Sequence, residues 1–275
     1  MPPSSTRRTA CRALGLTVAL LLASVLPAQS ASAASTSLTA NYAGYATAPT
    51  TGMPHDVQMQ WTVPAVSCGG AKNSLVAVWS GLVSTSNKEL FQTGTDSGCN
   101  QGKEHYSAWY EHFPATGVTY SAQELKVDKN QLMAASVSAN SSRDANGNQP
   151  YSVTLSNLTT HKSQTRMFTS RDGAGTGECI VEAPRQGQKF LYLAPFGTIT
   201  LQGCQVSKSY EPSVRPEAGL AKPATASDRV GNLYQLGAVR SVMDTPPWPG
   251  QVQTVRALTS FPRIDGRIVV TWKGF

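Results

Sequence analysis

Apolar and polar residues alternate through Val57-Gln58-Met59-Gln60-Trp61-Thr62-Val63, and the run stops at Pro64. Successive side chains of a strand point to opposite faces, so a period of two marks a half-buried strand rather than a helix. Further strand-like runs occupy residues 75–79, 151–155 and 198–201, and the segments Leu132–Ala139 and Ile268–Trp272. Turn-forming residues separate them, most clearly the Asn, Ser, Asp and Gly cluster of residues 140–150. Two more runs, around residues 233–243 and 252–260, flank the turn Pro246-Pro247-Trp248-Pro249-Gly250. No long segment carries a helical period, and no heptads, phosphate-cradling glycine loop or internal repeat is present. Short strands punctuated in this way predict an all-β chain, a sandwich or jelly roll.

The first 34 residues stand apart. Arg7, Arg8 and Arg12 precede or open an apolar run over residues 13–26, and Ala31-Ser32-Ala33 offers a small-residue cleavage site. This is the layout of a secretory signal peptide, and the run is too short for a bilayer, which needs about 20 apolar residues. Residues 1–34 are read as the signal and residues 35–275 as one β-sandwich domain, secreted and away from the membrane after cleavage. A Pro-rich stretch at about 211–228, with Pro212, Pro216 and Pro223, reads as an irregular excursion. The formal charge of +7 falls to roughly +4 once the three arginines leave, and the remaining cations form no stripe. No nucleic-acid partner is expected.

Cys11 leaves with the signal, while Cys68, Cys99, Cys179 and Cys204 remain, an even number for an oxidising compartment. Three pairings are open. Cys68 with Cys99 and Cys179 with Cys204 is preferred, because each pair flanks an expected hairpin or short excursion. A zinc site competes poorly, since no two cysteines have close ligand spacing and His55, His105, His112 and His161 are scattered.

Three segments place polar residues inside strand-like runs: Leu90-Phe91-Gln92-Thr93-Gly94, Tyr106-Ser107-Ala108-Trp109-Tyr110-Glu111 and Gly177-Glu178-Cys179-Ile180-Val181-Glu182. Burying an unpaired polar group costs a few kcal/mol, so a sheet face that holds Gln92 and Glu178 must satisfy or use them. Residues two apart share a face, which groups Gln92 with Gly94 and Asp96, Glu178 with Ile180 and Glu182, and Trp109 with Glu111. Gly94 is expected to leave room for an extended substrate. A carboxyl and a carboxamide suit amide hydrolysis by water, one moving protons and the other donating to an oxyanion. Taken singly, each residue has a plainer reading. Gln92 can face solvent, Glu178 can be solvated, Trp79 and Trp109 can be core aromatics, and Glu111 can pair with a nearby Lys or Arg.

Order and spacing together favour the chemical reading, because the segments resemble those of the glutamic peptidases, or eqolisins. The likeness starts at Asn41-Tyr42-Ala43-Gly44 and continues through Gln60-Trp61-Thr62-Val63-Pro64 and Val78-Trp79-Ser80-Gly81. The Gln92, Glu111 and Glu178 segments follow in the family order, with Asn157-Leu158-Thr159-Thr160, Pro195-Phe196-Gly197 and the closing Ile268–Trp272 run. The resemblance implies a β-sandwich of two curved antiparallel sheets, similar to lectin-type jelly rolls, and a secreted, acid-acting endopeptidase. Glu178 matches the family's catalytic glutamate and Gln92 its catalytic glutamine. Trp79, Asp96, Trp109 and Glu111 fall at positions expected near or beneath the cleft. Protein or peptide substrates, no metal, no cofactor and a monomer are implied.

On this reading Glu178 activates a water, Gln92 stabilises the tetrahedral oxyanion, and Glu178 returns the proton to the leaving amine. A carboxyl at its ordinary pKa of about 4.3 serves both steps only in acid. The likeness begins within about ten residues of the cleavage site. Little room is left there for an N-terminal propeptide, so control by pH alone is expected. The chain also departs from the family. Leu82-Val83-Ser84 stands where an acidic residue is frequent, Gly177 replaces Ala, and Cys179 and His112 replace aromatic residues.

Two rival readings are a glycoside hydrolase and a non-catalytic lectin-like or peptide-binding sandwich. The first needs paired carboxyls at most about 9.5 Å apart. Glu178 and Glu182, four apart on a strand, would sit roughly 13 Å apart, so Glu111 would have to supply the partner. The second would use Trp79, Trp109 and Tyr110 as a stacking platform. Asn140-Ser141-Ser142 and Asn157-Leu158-Thr159 fit the glycosylation pattern.

Overall fold

The computed structural model describes residues 36–39, 41–47, 55–69, 73–186, 189–207, 229–232, 239–244, 255–260 and 267–273. The expected signal and the Pro-rich stretch lie outside these residues. The strands are β1 (Thr36–Thr39), β2 (Tyr42–Ala46), β3 (Asp56–Thr62), β4 (Asn73–Ser84), β5 (Leu90–Asn100), β6 (Lys103–Phe113), β7 (Val118–Thr119), β8 (Leu132–Ala139) and β9 (Gln149–Asn157). There follow β10 (Lys162–Ser170), β11 (Ala174–Glu182), β12 (Arg185–Gln186), β13 (Lys189–Phe190), β14 (Thr198–Ser207), β15 (Arg229–Asn232), β16 (Val239–Asp244), β17 (Val255–Thr259) and β18 (Ile268–Trp272). A single helical turn, α1 (Ala122–Leu125), is fixed by a capping box between Ser121 and Glu124.

Hydrogen bonding runs without a break along β10-β9-β8-β3-β14-β18-β17-β16-β2-β11-β4-β5-β6-β7. The pairings are antiparallel apart from β1 with β16. The ribbon folds back on itself, so β3, β8 and β9 pack against β4, β5 and β11 in a two-layered sandwich. Alternation directs the packing. Met133, Ala135, Val137 and Ala139 of β8, and Tyr151, Val153 and Leu155 of β9, point into the core. Val57, Met59 and Trp61 of β3 join them there, opposite Val76, Val78, Leu82 and Phe91. Burying each large apolar side chain fully stabilises the fold by about 1.5–3 kcal/mol. The strands β8 and β18 match their sequence-derived limits, whereas β4 extends well past the apolar run at 75–79.

The β5–β6 hairpin sets the register of the site. Its two turn residues, Gln101 and Gly102, both have positive φ, 50° and 78°. That geometry follows the twist of the flanking strands and closes a two-residue loop. Gln92 thereby lies opposite Glu111, and Gly94 opposite Trp109. A slip of one residue would turn every one of these side chains to the other face.

Disulfides join Cys68 to Cys99 and Cys179 to Cys204, the pairing preferred from the sequence. The second ties β11 to β14 through the residue that follows Glu178.

Candidate active site

Strands β2, β11, β4, β5 and β6 lie side by side, and their outward face bears a cavity of about 790 Å³. Its floor is built in cross-strand rows. The central row reads Ala46, Glu178, Gly81, Gln92 and Glu111. Glu178 and Gln92 thus flank the same residue of β4 from opposite sides. Two strand spacings put their Cα atoms roughly 9.5 Å apart, and the residue between them has no side chain. A Cβ on Gly81 would sit 2.8 Å from Leu90 Cδ1 and 3.0 Å from Gln92 Cβ.

The next row holds Gly44, Ile180, Trp79, Gly94 and Trp109, and the one after it Tyr42, Glu182, Ala77, Asp96 and Ser107. Trp79, Ala77 and Ile180 form a buried cluster separate from the main core, with Tyr42, Leu90 and Trp109 packed on it. Trp109 and Glu111 therefore share a face with Gln92 and Glu178, a grouping that within-strand spacing could not reveal. The expectation for Gly94 is corrected. A Cβ there would lie 2.6 Å from Trp79 Cβ and 2.3 Å from Val78 O, so this glycine admits Trp79 and the neighbouring strand rather than a substrate.

Several polar groups of the floor are held by hydrogen bonds to one another. Trp79 Nε1 donates to Glu182 Oε2 at 2.7 Å, and Asn41 Nδ2 donates to Glu182 Oε1 at 2.6 Å. Trp109 Nε1 donates to Asp96 Oδ1 at 2.9 Å. Gln92 Nε2 donates to Glu111 Oε2, which makes the carboxamide, not a Lys or Arg, the partner of Glu111. Gln92 is only 7% exposed, and its Oε1 is buried without a hydrogen-bond partner among the described residues. Gln92 lines the cavity, and its carbonyl oxygen is an unmet acceptor at that wall.

The four acids share one low-dielectric space. Burial pushes Glu178 up to about 7, with the Glu182 charge adding to it. Burial also pushes Glu182 up to about 7 against the indole bond from Trp79, and the Glu111 and Asp96 charges reinforce the rise. Asp96 rises to about 7 through burial, opposed by Trp109. Glu111 is raised by burial, and the hydrogen bonds from Gln92 and from the Gly117 backbone hold it back. Sequence reasoning grouped Glu182 with Glu178 but gave it no place at the site, and it assigned no role to Asn41, Tyr42 or Gly81. All four stood within quoted motifs, and only the register brings them together. Among the described residues no group of acids, cysteines and histidines is arranged to hold a metal ion.

Comparison with known proteins supplies the affiliation. The family model of the Peptidase A4 family matches residues 40–230. The chain belongs to that family. Aspergillopepsin-2 of Aspergillus niger is 26% identical to this Peptidase A4 member over 171 residues, 54% of this chain and 58% of that protein. The chain therefore spans less than two thirds of that relative's length. Among solved structures, scytalido-glutamic peptidase with a transition state analog inhibitor superposes with a TM-score of 0.61 at 18% identity, covering 85% of this chain and 98% of that one. SCP-B, a member of the Eqolisin family solved with the tripeptide Ala-Ile-His, gives 0.59 at 17% identity over the same shares. At such identities the likeness speaks for the Peptidase A4 fold, a β-sandwich as the sequence led us to expect.

Proposed function

We propose that the chain is a secreted endopeptidase that hydrolyses peptide bonds with Glu178, Gln92 and one water, with residues 1–34 as its cleaved signal. The observation that carries this reading is the placement of Glu178 and Gln92 on either side of the bare backbone at Gly81. The scissile carbonyl enters that gap. Glu178 takes a proton as water adds to the carbonyl carbon, and the second N–H of Gln92 donates to the oxyanion. Glu111 holds the other N–H and so fixes which way the carboxamide faces. When the C–N bond breaks, Glu178 passes the proton to the departing amine. Membership of the Peptidase A4 family supports the same reaction class.

Electrostatics of the cleft refine the expected pH range. Coupled acids lose their protons in steps, the first more readily than the later ones. With Glu178, Glu182 and Asp96 all raised to about 7, the base form of Glu178 is a minor fraction in acid and grows as pH nears 7. Activity is expected to rise through the acid range toward about pH 7 and to close above it, as Glu182 and Asp96 ionise beside the developing oxyanion.

The lectin-like alternative needs an exposed aromatic platform. Trp79 is 3% exposed, its ring lies in the floor and its N–H is bound to Glu182.

The test is digestion of an unfolded protein between about pH 2 and 7, beside Glu178→Gln and Gln92→Ala, with chelator and pepstatin controls. Glu178→Gln should be inactive. Gln92→Ala should lose about 10²–10³ in rate, the usual cost of an oxyanion donor. Cleavage that survives Glu178→Gln would rule the dyad out.

A further inference from the structure

Four side-chain donors other than the acids line the cavity from β2, β4, β5, β6 and β11: Tyr42, Trp79, Gln92 and Trp109. Both indoles have one N–H each, and both are committed, to Glu182 and to Asp96. Gln92 gives one N–H to Glu111 and keeps the other for the reacting carbonyl. Tyr42 is left. No bond from its hydroxyl to another described residue accompanies its packing on the Ala77, Trp79 and Ile180 cluster.

The placement of Tyr42 follows from the β2 register. This strand turns Tyr42, Gly44 and Ala46 toward the cavity, beside Glu182, Ile180 and Glu178 in turn. Gly44 has no side chain and Ala46 only a methyl, so Tyr42 is the one long side chain on the Glu178 side of the cleft from this strand. Gly44 cannot be enlarged, because a Cβ there would lie 2.2 Å from Cys179 O. The charges of Glu178 and Glu182 both act on the phenol. The ring packs on the cluster of Ala77, Trp79 and Ile180, and the last two stand in the row between Tyr42 and Glu178. Burial and the two nearby acids raise its pKa above the ordinary 10, which keeps the O–H a donor throughout the acid and neutral range.

We propose that Tyr42 is a substrate-binding residue whose hydroxyl donates to a main-chain carbonyl of the peptide beside the scissile bond, on the Glu178 side of the cleft. This rests on the peptidase reading above. An extended peptide brings a carbonyl about every second residue to each side, at roughly the 6.6 Å step that separates the rows of the floor. Each such carbonyl loses its water on entering the cavity and needs a donor in exchange. Among the five floor strands, Gln92 offers its second N–H on one side and Tyr42 its hydroxyl on the other, while Lys88 and Arg185 line the cavity from outside them.

The experiment compares wild type, Tyr42→Phe and Glu178→Gln in two assays. One is cleavage of a peptide, resolved into kcat and KM across pH. The other is calorimetric binding of an uncleavable statine-containing peptide of the same sequence. Tyr42→Phe keeps the ring and its packing, so its thermal midpoint should match wild type. A three- to tenfold loss in both kcat/KM and statine-peptide affinity, carried mainly by KM, is the expected result, in line with one neutral hydrogen bond. The pH at which activity closes should not move. If Tyr42→Phe equals wild type in both assays while Glu178→Gln is inactive, the assignment fails and the dyad stands. A shifted pH profile at unchanged KM would also overturn it, because the phenol would then act through Glu178 rather than on substrate. A wild type that neither cleaves nor binds would remove the peptidase reading and this assignment with it.

Discussion

The two faces of β5 run through the same eleven residues and obey different rules. Toward the core, Phe91, Thr93 and Thr95 are buried, and their polar atoms are neutral hydroxyls with partners inside the protein. Trp61 Nε1 donates to Thr95 at 3.0 Å, and Thr93 donates to the Trp109 carbonyl at 2.6 Å. Toward the cavity, Gln92 and Asp96 belong to a set of ionisable and amide groups crowded into one apolar bowl, with one acceptor left open. Hydroxyls in a core cost little once bonded, whereas carboxylates in the bowl remain costly whenever they ionise. One face contributes cohesion, and the other holds charge poised for proton transfer.

The largest test of that division is on the core side. Phe91 stacks on Tyr151 with ring centroids 3.8 Å apart and on His112 at 4.3 Å. Phe91→Ala should cost about 3–5 kcal/mol of stability, read from urea unfolding, and leave the pH profile of the folded enzyme in place. A changed profile at unchanged stability would show that the faces are not separable.

On the cavity side, Gly81→Ala fills the gap between Glu178 and Gln92 and presses on Leu90 and the Phe91 carbonyl. Displacing the dyad by a fraction of an ångström should lower kcat/KM by about 10–100-fold, with a much smaller drop in unfolding temperature than in Phe91→Ala. Full activity in Gly81→Ala would mean that the reacting carbonyl does not sit there.

The smallest effect sharpens the comparison through pH. Glu178, Glu182 and Asp96 hold protons to about 7 in the folded chain, against ordinary values of 4.5, 4.5 and 3.8. Between those limits the folded state binds more protons than the unfolded chain, so stability falls as pH rises. The contribution is complete below about pH 4 and is lost as pH climbs through about 7. Thermal midpoints should drop by several degrees from pH 4.5 to 7.5, and Glu182→Gln should flatten part of that slope. A flat wild-type curve would show that the bowl is wetter than its walls imply.

Much of this was legible in the sequence. Period-two alternation announced β3, β8 and β18, where one face is core and the other is not, and the expected hairpins favoured the observed disulfide pairing among three left open. The extent of β4 was hidden, because a strand covered on both faces loses its alternation and Ser80-Gly81 reads as a turn. Glu178 and Gln92 stood out as polar residues in apolar company. That they oppose each other across Gly81, with Trp109 and Glu111 on the same floor, depends on pairing between distant strands, which no local pattern encodes. Asn157 shows the limit of a local motif. Its motif fits glycosylation, yet the side chain is fully buried and donates to the Lys126 carbonyl and to Gln131. In the folded chain it is a structural clasp.

The row through Gly81 has a consequence for how such a centre can change over time. The span between Glu178 and Gln92 is two lattice steps of a sheet, fixed by backbone hydrogen bonds rather than by the fit of particular side chains. Residues other than the close-packed glycines Gly44, Gly81 and Gly94 can be exchanged without altering that ruler, as long as three adjacent strands keep their alignment. What such a protein must preserve is a phase relationship between strands, and substitutions that respect it leave the reactive spacing untouched.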